Sequence, residues 1–163
     1  MDEVVIRVAT VADTPAIGDL WQQLVDYHRE IDAELPEATP KGSMLYARRI
    51  ADRLDDPQTR VLVAADSEKL VGYVLGMVVN LTPDIFEQEP TGFLADIFVA
   101  ADYRQQGIGS RLVDALARWF REQNLPYYEW HVAAANHNAR AFWKRVGGDE
   151  TMIRMRSYLG DEA

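Results

Sequence analysis

Between Gly92 and Gln123 the sequence changes its period within a few residues. Gly92 to Ala100 (Gly-Phe-Leu-Ala-Asp-Ile-Phe-Val-Ala) reads as a strand. Ser110 to Gln123 reads as an amphipathic helix, with Ile108, Leu112, Ala115, Leu116, Trp119 and Phe120 forming a broad apolar stripe. The turn between them is Arg104-Gln105-Gln106-Gly107-Ile108-Gly109. A strand that passes through glycines into a helix restricts the chain to an α/β layering. It also leaves backbone N–H groups unpaired at the helix start, where they and the helix dipole attract an anion such as a phosphate. Gly107 and Gly109 bring no Cβ atoms to crowd that anion, and Arg104 adds a forked, permanently charged donor. Two glycines near a helix start are common, so on these residues alone the plainer reading is a tight turn without a ligand. The run lacks the Gly-Lys-Ser/Thr ending of a nucleotide P-loop and the third glycine of the dinucleotide fingerprint.

The remaining segments fit the same layering. Val4 to Ala9 suits a first strand. Asp13 or Thr14 is placed to cap a helix, Pro15 suits its first turn, and Ile17, Leu20, Trp21, Leu24, Val25 and Ile31 recur on one helical face. His28 lies on or near that stripe and reads as a partly buried or surface histidine. Asp32 to Lys41, with two prolines, is a loop. Ser43 is expected to cap a second helix, carrying Ala47, Ile50, Ala51 and Leu54, which stops at Asp55-Asp56-Pro57. Val61 to Ala65 and Leu70 to Leu81 read as strands. Gly72 and Gly76 inside the second point to a bulge or a close backbone approach. Thr82 to Thr91 is another acidic loop. Tyr127 to Ala133 reads as a further strand, Asn136 opens a short helix ended by Gly147-Gly148, and Thr151 to Leu159 reads as a last strand. Gly160 to Ala163 is expected to fray. The order is β-α-α-β-β-β-α-β-α-β around a mixed central sheet, in one domain spanning 1–163 with no repeat or linker.

Composition sets the outer limits. A chain of 163 residues, 48% hydrophobic and 26% charged, builds one real core. It has no cysteine, which removes disulfides, thiolate metal sites and a cysteine nucleophile and permits a reducing cytoplasm. No metal site is expected. The sequence shows no secretory signal or membrane-spanning stretch. A net charge of −9 disfavours nucleic acid as a partner and favours a cationic small substrate, with solubility as the plainer reason for the charge.

Two linked motifs carry a family resemblance. The run ending at Gly109 matches the pattern Gln/Arg-x-x-Gly-x-Gly/Ala. Residues 136–147, Asn-His-Asn-Ala-Arg-Ala-Phe-Trp-Lys-Arg-Val-Gly, are similar to the pattern Asn-x-x-Ala-x-x-Phe-Tyr-x-x-x-Gly. Both patterns belong to the GCN5-related N-acetyltransferases, the GNAT superfamily. The opening Ile-Arg-x-Ala-Thr-x-x-Asp, ending at Asp13, is a weaker trait of that family, and the Phe-Trp-Lys-Arg run resembles its diamine and spermidine branch. The resemblance implies the GNAT fold and a cytoplasmic enzyme that moves an acetyl group from acetyl-CoA directly to a primary amine. It implies that the backbone of Gln105, Gln106, Gly107, Ile108, Gly109 and Ser110 holds the pyrophosphate, with Arg104 beside it. Ile97, Phe98 and Val99 would pair with the pantetheine arm as an added strand would. Asn136 would touch the cosubstrate, and Phe142 and Trp143 would pack near it. Homodimers are common in the family, and none is specified by a stretch here. A peptide amine as acceptor, and a sensor that binds acyl-CoA without transfer, stay open beside the small-amine enzyme.

The chemistry implied needs a base for an amine that is charged at pH 7, a donor that polarises the carbonyl, and optionally an acid for the departing thiolate. Two assignments common in the family fail here. Trp143 stands where a Tyr usually serves as the acid, and an indole does not titrate in this range. Ala95 stands where the polyamine branch often has Glu. Three base candidates remain. Glu129 and His131 share one face of the strand after Pro126, and His131 has a pKa suited to base work through a water. Asp96 follows Ala95, but strand alternation points it to the other face unless a bulge intervenes.

Overall fold

The computed structural model describes residues 3–160. Five strands form one sheet in the order β1-β2-β3-β4-β5. They are β1 (Val5–Val8), β2 (Thr59–Asp66), β3 (Lys69–Val79), β4 (Thr91–Val99) and β5 (Tyr128–Glu129). The first four pair antiparallel with their neighbours, and β5 joins β4 in parallel. The helices are α1 (Thr14–Ile31), α2 (Gly42–Ala51), α3 (Ile108–Glu122) and α4 (His137–Arg145).

Strand alternation divides the core into two layers. Val61, Val63, Tyr73 and Leu75 face Ile17, Leu20 and Ile50 of α1 and α2. Leu62, Ala64, Val71 and Val74 face Leu112, Leu116 and Trp119 of α3. β2 and β3 are therefore buried on both faces, which is why their sequences are nearly continuous apolar runs rather than alternating ones. Gly76 is required by close approach. A Cβ there would lie 2.5 Å from Leu116 Cδ1.

The opening motif has a structural role. Arg7 grips Asp13 through both carboxylate oxygens, at 2.7 and 2.8 Å. The same carboxylate accepts from the backbone N–H of Thr10 at 2.7 Å and its hydroxyl at 3.0 Å. Asp13 thus fastens the 3-10 turn Val11–Asp13, and does not cap α1 with its side chain. Ser43 likewise bonds to Asp19 of α1 at 3.2 Å and caps nothing.

Two expectations change at the end of the chain. The strand expected over 127–133 is reduced to Tyr128–Glu129, because only Gly92 and Phe93 of β4 run beside it before the two strands diverge. The last strand, expected over 151–159, has no assigned secondary structure and pairs with no strand among the described residues. The fraying expected at the terminus falls, from Asp161 on, outside the described residues.

Candidate active site

The divergence of β4 from β5 makes the site. β4 is paired to β3 along its whole length, from Thr91 to Val99. On its other edge it is paired only at Gly92 and Phe93. From Leu94 to Val99, which includes Ile97 and Phe98, that edge has no strand partner. An edge without a strand partner suits an extended ligand arm, although Val99 O is already taken by Arg104 Nε at 2.9 Å.

The slot leads to the glycine turn. Gly107 caps α3 in the left-handed region, at φ 76°, and Gln105 shares that region at φ 61°. No side chain caps α3, so the N–H groups of Ile108, Gly109 and Ser110 stay available; Arg111 is the first to bond back, to Gly107 O at 3.0 Å. Gln106 is exposed and bonds to Asp102 O at 3.1 Å. Arg104 turns away from these amides. Its Nε donates to Val99 O at 2.9 Å, and its guanidinium lies 4.5 Å from the Tyr27 ring and 5.2 Å from that of Phe98. It braces the turn against α1.

The second motif closes the other side. Asn136 is buried and caps α4 by accepting from Ala139 N at 3.0 Å. Phe142 reaches the glycine turn, with its ring 3.5 Å from where a Cβ on Gly109 would stand. Trp143 is buried against Trp130, ring centres 4.4 Å apart. Its ring also meets that of Phe142 edge-on at 5.0 Å.

The three base candidates lie on the α1–α2 side of the sheet. Between Leu75 and Gly76 the register slips, so that Asp96 pairs with Leu75 and Leu94 with Gly76. Ala95 is the extra residue, and both it and Asp96 turn toward α1 and α2. Asp96 accepts a 2.8 Å hydrogen bond from the Tyr46 hydroxyl. Tyr46 in turn stacks on Trp21 at 4.9 Å and meets Tyr73 edge-on at 6.2 Å. Burial pushes the Asp96 carboxyl above the usual carboxylate range, against the opposing effects of Tyr46 and His28. Burial holds His28 below its ordinary value, against the pull of Asp96. Desolvation also pushes the hydroxyls of Tyr46 and Tyr73 well above their ordinary values. The buried Tyr73 hydroxyl has no hydrogen-bond partner among the described residues. Glu129 and His131 are exposed on and beyond β5, and His131 rests edge-on against Phe93 at 5.5 Å. The structure therefore separates one enclosed carboxylate from two solvated candidates.

Sequence reasoning missed Tyr46, Tyr73 and the electrostatic link from His28 to Asp96. Tyr46 stands four residues before Ile50, on the inward side of α2, and that spacing was the available signal. Nothing in the sequence showed that α1, α2 and β3 converge on one carboxylate. Among the described residues no group of His, Asp or Glu is arranged to hold a metal, and no helix is long and apolar enough to cross a membrane.

A family model described as the acetyltransferase (GNAT) family matches residues 20–148. The chain belongs to the GNAT acetyltransferase family. This GNAT enzyme is 32% identical over 59 residues to an uncharacterised N-acetyltransferase of Archaeoglobus fulgidus, a match covering 36% of this chain and 40% of that protein. It is 24% identical over 148 residues to the uncharacterised N-acetyltransferase YhfO of Bacillus subtilis, covering 89% of each. Among solved structures it resembles a variant of the BH1408 protein of Bacillus halodurans, with TM-score 0.85 and 25% identity over 95% of this chain and 99% of that one. It also resembles AAC(6')-Iy, solved in complex with the bisubstrate analogue CoA-S-monomethyl-acetylneamine, with TM-score 0.74 and 18% identity over 97% of this chain and 100% of that one. At that identity the last likeness is one of fold.

Proposed function

We propose that this GNAT enzyme transfers the acetyl group of acetyl-CoA to the primary amine of a small cationic molecule, with Asp96 as the base. The observation that carries this reading is the bulge at Ala95. It turns Asp96 out of the layer of Leu94 and Ile97 and toward the Tyr46 hydroxyl of α2, on the α1–α2 side of the open edge of β4.

Acetyl-CoA, when bound, supplies the thioester. The amides from Gln105 to Ser110 hold its pyrophosphate at the uncapped start of α3. The free edge at Ile97, Phe98 and Val99 pairs with its pantetheine arm. Phe142 packs beside the turn, Asn136 fixes the start of α4 next to it, and Trp143 anchors that helix. Arg104 contributes by bracing the turn. On the acceptor side, the ammonium gives a proton to Asp96, and the freed amine attacks the acetyl carbon. The C–N bond forms as the C–S bond breaks, the nitrogen gives up its second proton to water, and the thiolate takes its proton from water. Burial suits Asp96 to this task, because a carboxylate with a raised pKa accepts a proton more readily near neutrality. Glu129 and His131, both solvated, border the entrance.

The acceptor class rests on charge. The loop after α1 carries Asp32, Glu34 and Glu37, and the loop before β4 carries Asp84, Glu87 and Glu89. The structural neighbours include an aminoglycoside acetyltransferase solved in complex with sisomicin, which fits a polycationic amine. A cytoplasmic setting is part of the proposal. Mixing protein, acetyl-CoA and a panel of polyamines, aminoglycosides and peptides, and following free thiol, tests it. Thiol release with a small polyamine or aminoglycoside is the expected result. Release with peptides alone would move the acceptor class, and no release at any pH with acetyl-CoA still bound would leave a sensor.

A further inference from the structure

Gly42 and Tyr46 stand four residues apart on one face of α2, and Trp21 of α1 lies across both. A Cβ on Gly42 would lie 2.9 Å from the Trp21 ring, so the glycine lets the indole come down flat. One turn further along α2, the same indole stacks on the Tyr46 ring, 10° from parallel with centres 4.9 Å apart. Tyr73 of β3 meets the Tyr46 ring edge-on at 6.2 Å. The phenol is thus held from two elements, and a ring locked in this way carries its hydroxyl to one place.

That place is Asp96. The Tyr46 hydroxyl donates its single proton to Oδ2 at 2.8 Å. Among the described residues no other donor bonds this carboxylate. The titratable groups that face it are His28 of α1, Tyr46 of α2 and Tyr73 of β3. His28 acts on it through charge alone, and the Tyr73 hydroxyl has no partner among the described residues. A donor holds an ionised carboxylate more strongly than a neutral carboxyl. Tyr46 therefore opposes the burial that raises the Asp96 carboxyl. Burial pushes the phenol itself well above its ordinary value, so it stays a donor at any working pH.

We infer that Tyr46 is the positioning residue of the base: its hydroxyl pins Asp96 Oδ2, so that Oδ1 is the oxygen that takes the ammonium proton. The inference rests on the reading of Asp96 as the base. In that step the N–H bond of the ammonium breaks and the Oδ1–H bond forms. Oδ2 becomes the carbonyl oxygen and still accepts from Tyr46, so the carboxyl keeps its orientation in both protonation states. The bond is weaker to the neutral form, which favours release of the proton to water and readies the base for the next acceptor. Without the phenol the carboxyl is free to turn about its last torsion, which is broad, and to take the proton on either oxygen.

Tyr46→Phe keeps the ring and its stack on Trp21 and removes only the donor. The variant should keep the parent's far-UV circular dichroism spectrum and its affinity for acetyl-CoA. With an amine that the parent acetylates, the rising limb of the pH–rate profile should lie about 1 pH unit higher, because the ionised carboxylate has lost its donor. On the plateau kcat should fall about tenfold, through the loss of orientation. Titration of the Asp96 carboxyl by carbon NMR should show the same upward displacement without any turnover. In an Asp96→Asn background, Tyr46→Phe should lower kcat no further. A limb that is lost in Asp96→Asn but left in place by Tyr46→Phe overturns the inference and spares Asp96 as the base. A limb that survives Asp96→Asn overturns both.

Discussion

With Asp96 as the proposed base, stability and catalysis pull apart at this one residue. Its carboxyl is raised by burial, so the folded chain binds a proton more readily than the unfolded chain does. As pH rises from the unfolded value toward the folded one, the native state loses stability relative to the unfolded state. Above the folded value that cost is fully present. Asp96→Asn removes the charge while keeping the acceptor for Tyr46. The variant is expected to melt no lower than the parent at neutral pH, and higher if nothing else changes. Its kcat should fall by about 10²–10⁴-fold, the usual worth of a positioned base. Acetyl-CoA affinity, read by calorimetry, should be unchanged. The rising limb of the parent's pH–rate profile should vanish. Retained turnover with an intact limb would move the base to Glu129 or His131.

The elements make a different set of predictions, because the two glycines of the turn do different things. Gly107 stands at φ 76° with open space around its Cβ position, so its need is conformational. Gly107→Ala should cost roughly 1–2 kcal/mol in stability by forcing a side chain into the left-handed region, and should weaken acetyl-CoA binding by disturbing the start of α3. Gly109 has no such φ, and its Cβ would meet Phe142 at an ordinary 3.5 Å. Gly109→Ala should therefore be neutral or gain up to about 1 kcal/mol in denaturant melts. If both alanines behave alike, the assignment of the turn is wrong. At the first turn of the chain, Asp13 is held down to about 2, first by Arg7 and with help from Thr10. A depressed carboxylate stabilises above its unfolded value, and that contribution is lost as pH falls toward about 2. Asp13→Asn should cost about 1–2 kcal/mol at pH 7, with the gap to the parent closing under acid. The turn was legible in the sequence, since backbone conformation is local; the clasp was not, because Asp13 read there as a helix cap and its pairing with Arg7 depends on how β1 leads into the turn. Nor was the bulge. Alternation assigns faces only while the count is unbroken, and the one hint was Gly76, opposite the slip. That 151–159 stays outside the sheet was illegible for a related reason: an alternating pattern specifies a strand without specifying a partner for it.

On the scale of the whole molecule, charge is the property that reaches furthest beyond any contact. The chain carries −9, and its acidic loops, 32–37 and 84–89, leave the framework on the acceptor side of the sheet and at the β3–β4 connection. A polyamine, if it is the acceptor proposed above, would experience their summed field before it reached Asp96. Exposed charges of this kind are screened over about 10 Å at 0.1 M salt. The KM for a polycationic amine should therefore rise several-fold between low and physiological ionic strength. The KM for acetyl-CoA should fall or stay level, because the cosubstrate is an anion that the same field repels. kcat should be nearly constant, since a partly buried Asp96 is screened by salt much less than the exposed loop charges are. Glu34→Gln/Glu37→Gln should lower the salt slope for the amine and leave kcat in place. An amine KM that ignores salt, with normal turnover, would mean that the loop charges serve solubility and that acceptor choice is made by contacts close to Asp96, such as Trp21 and Tyr46.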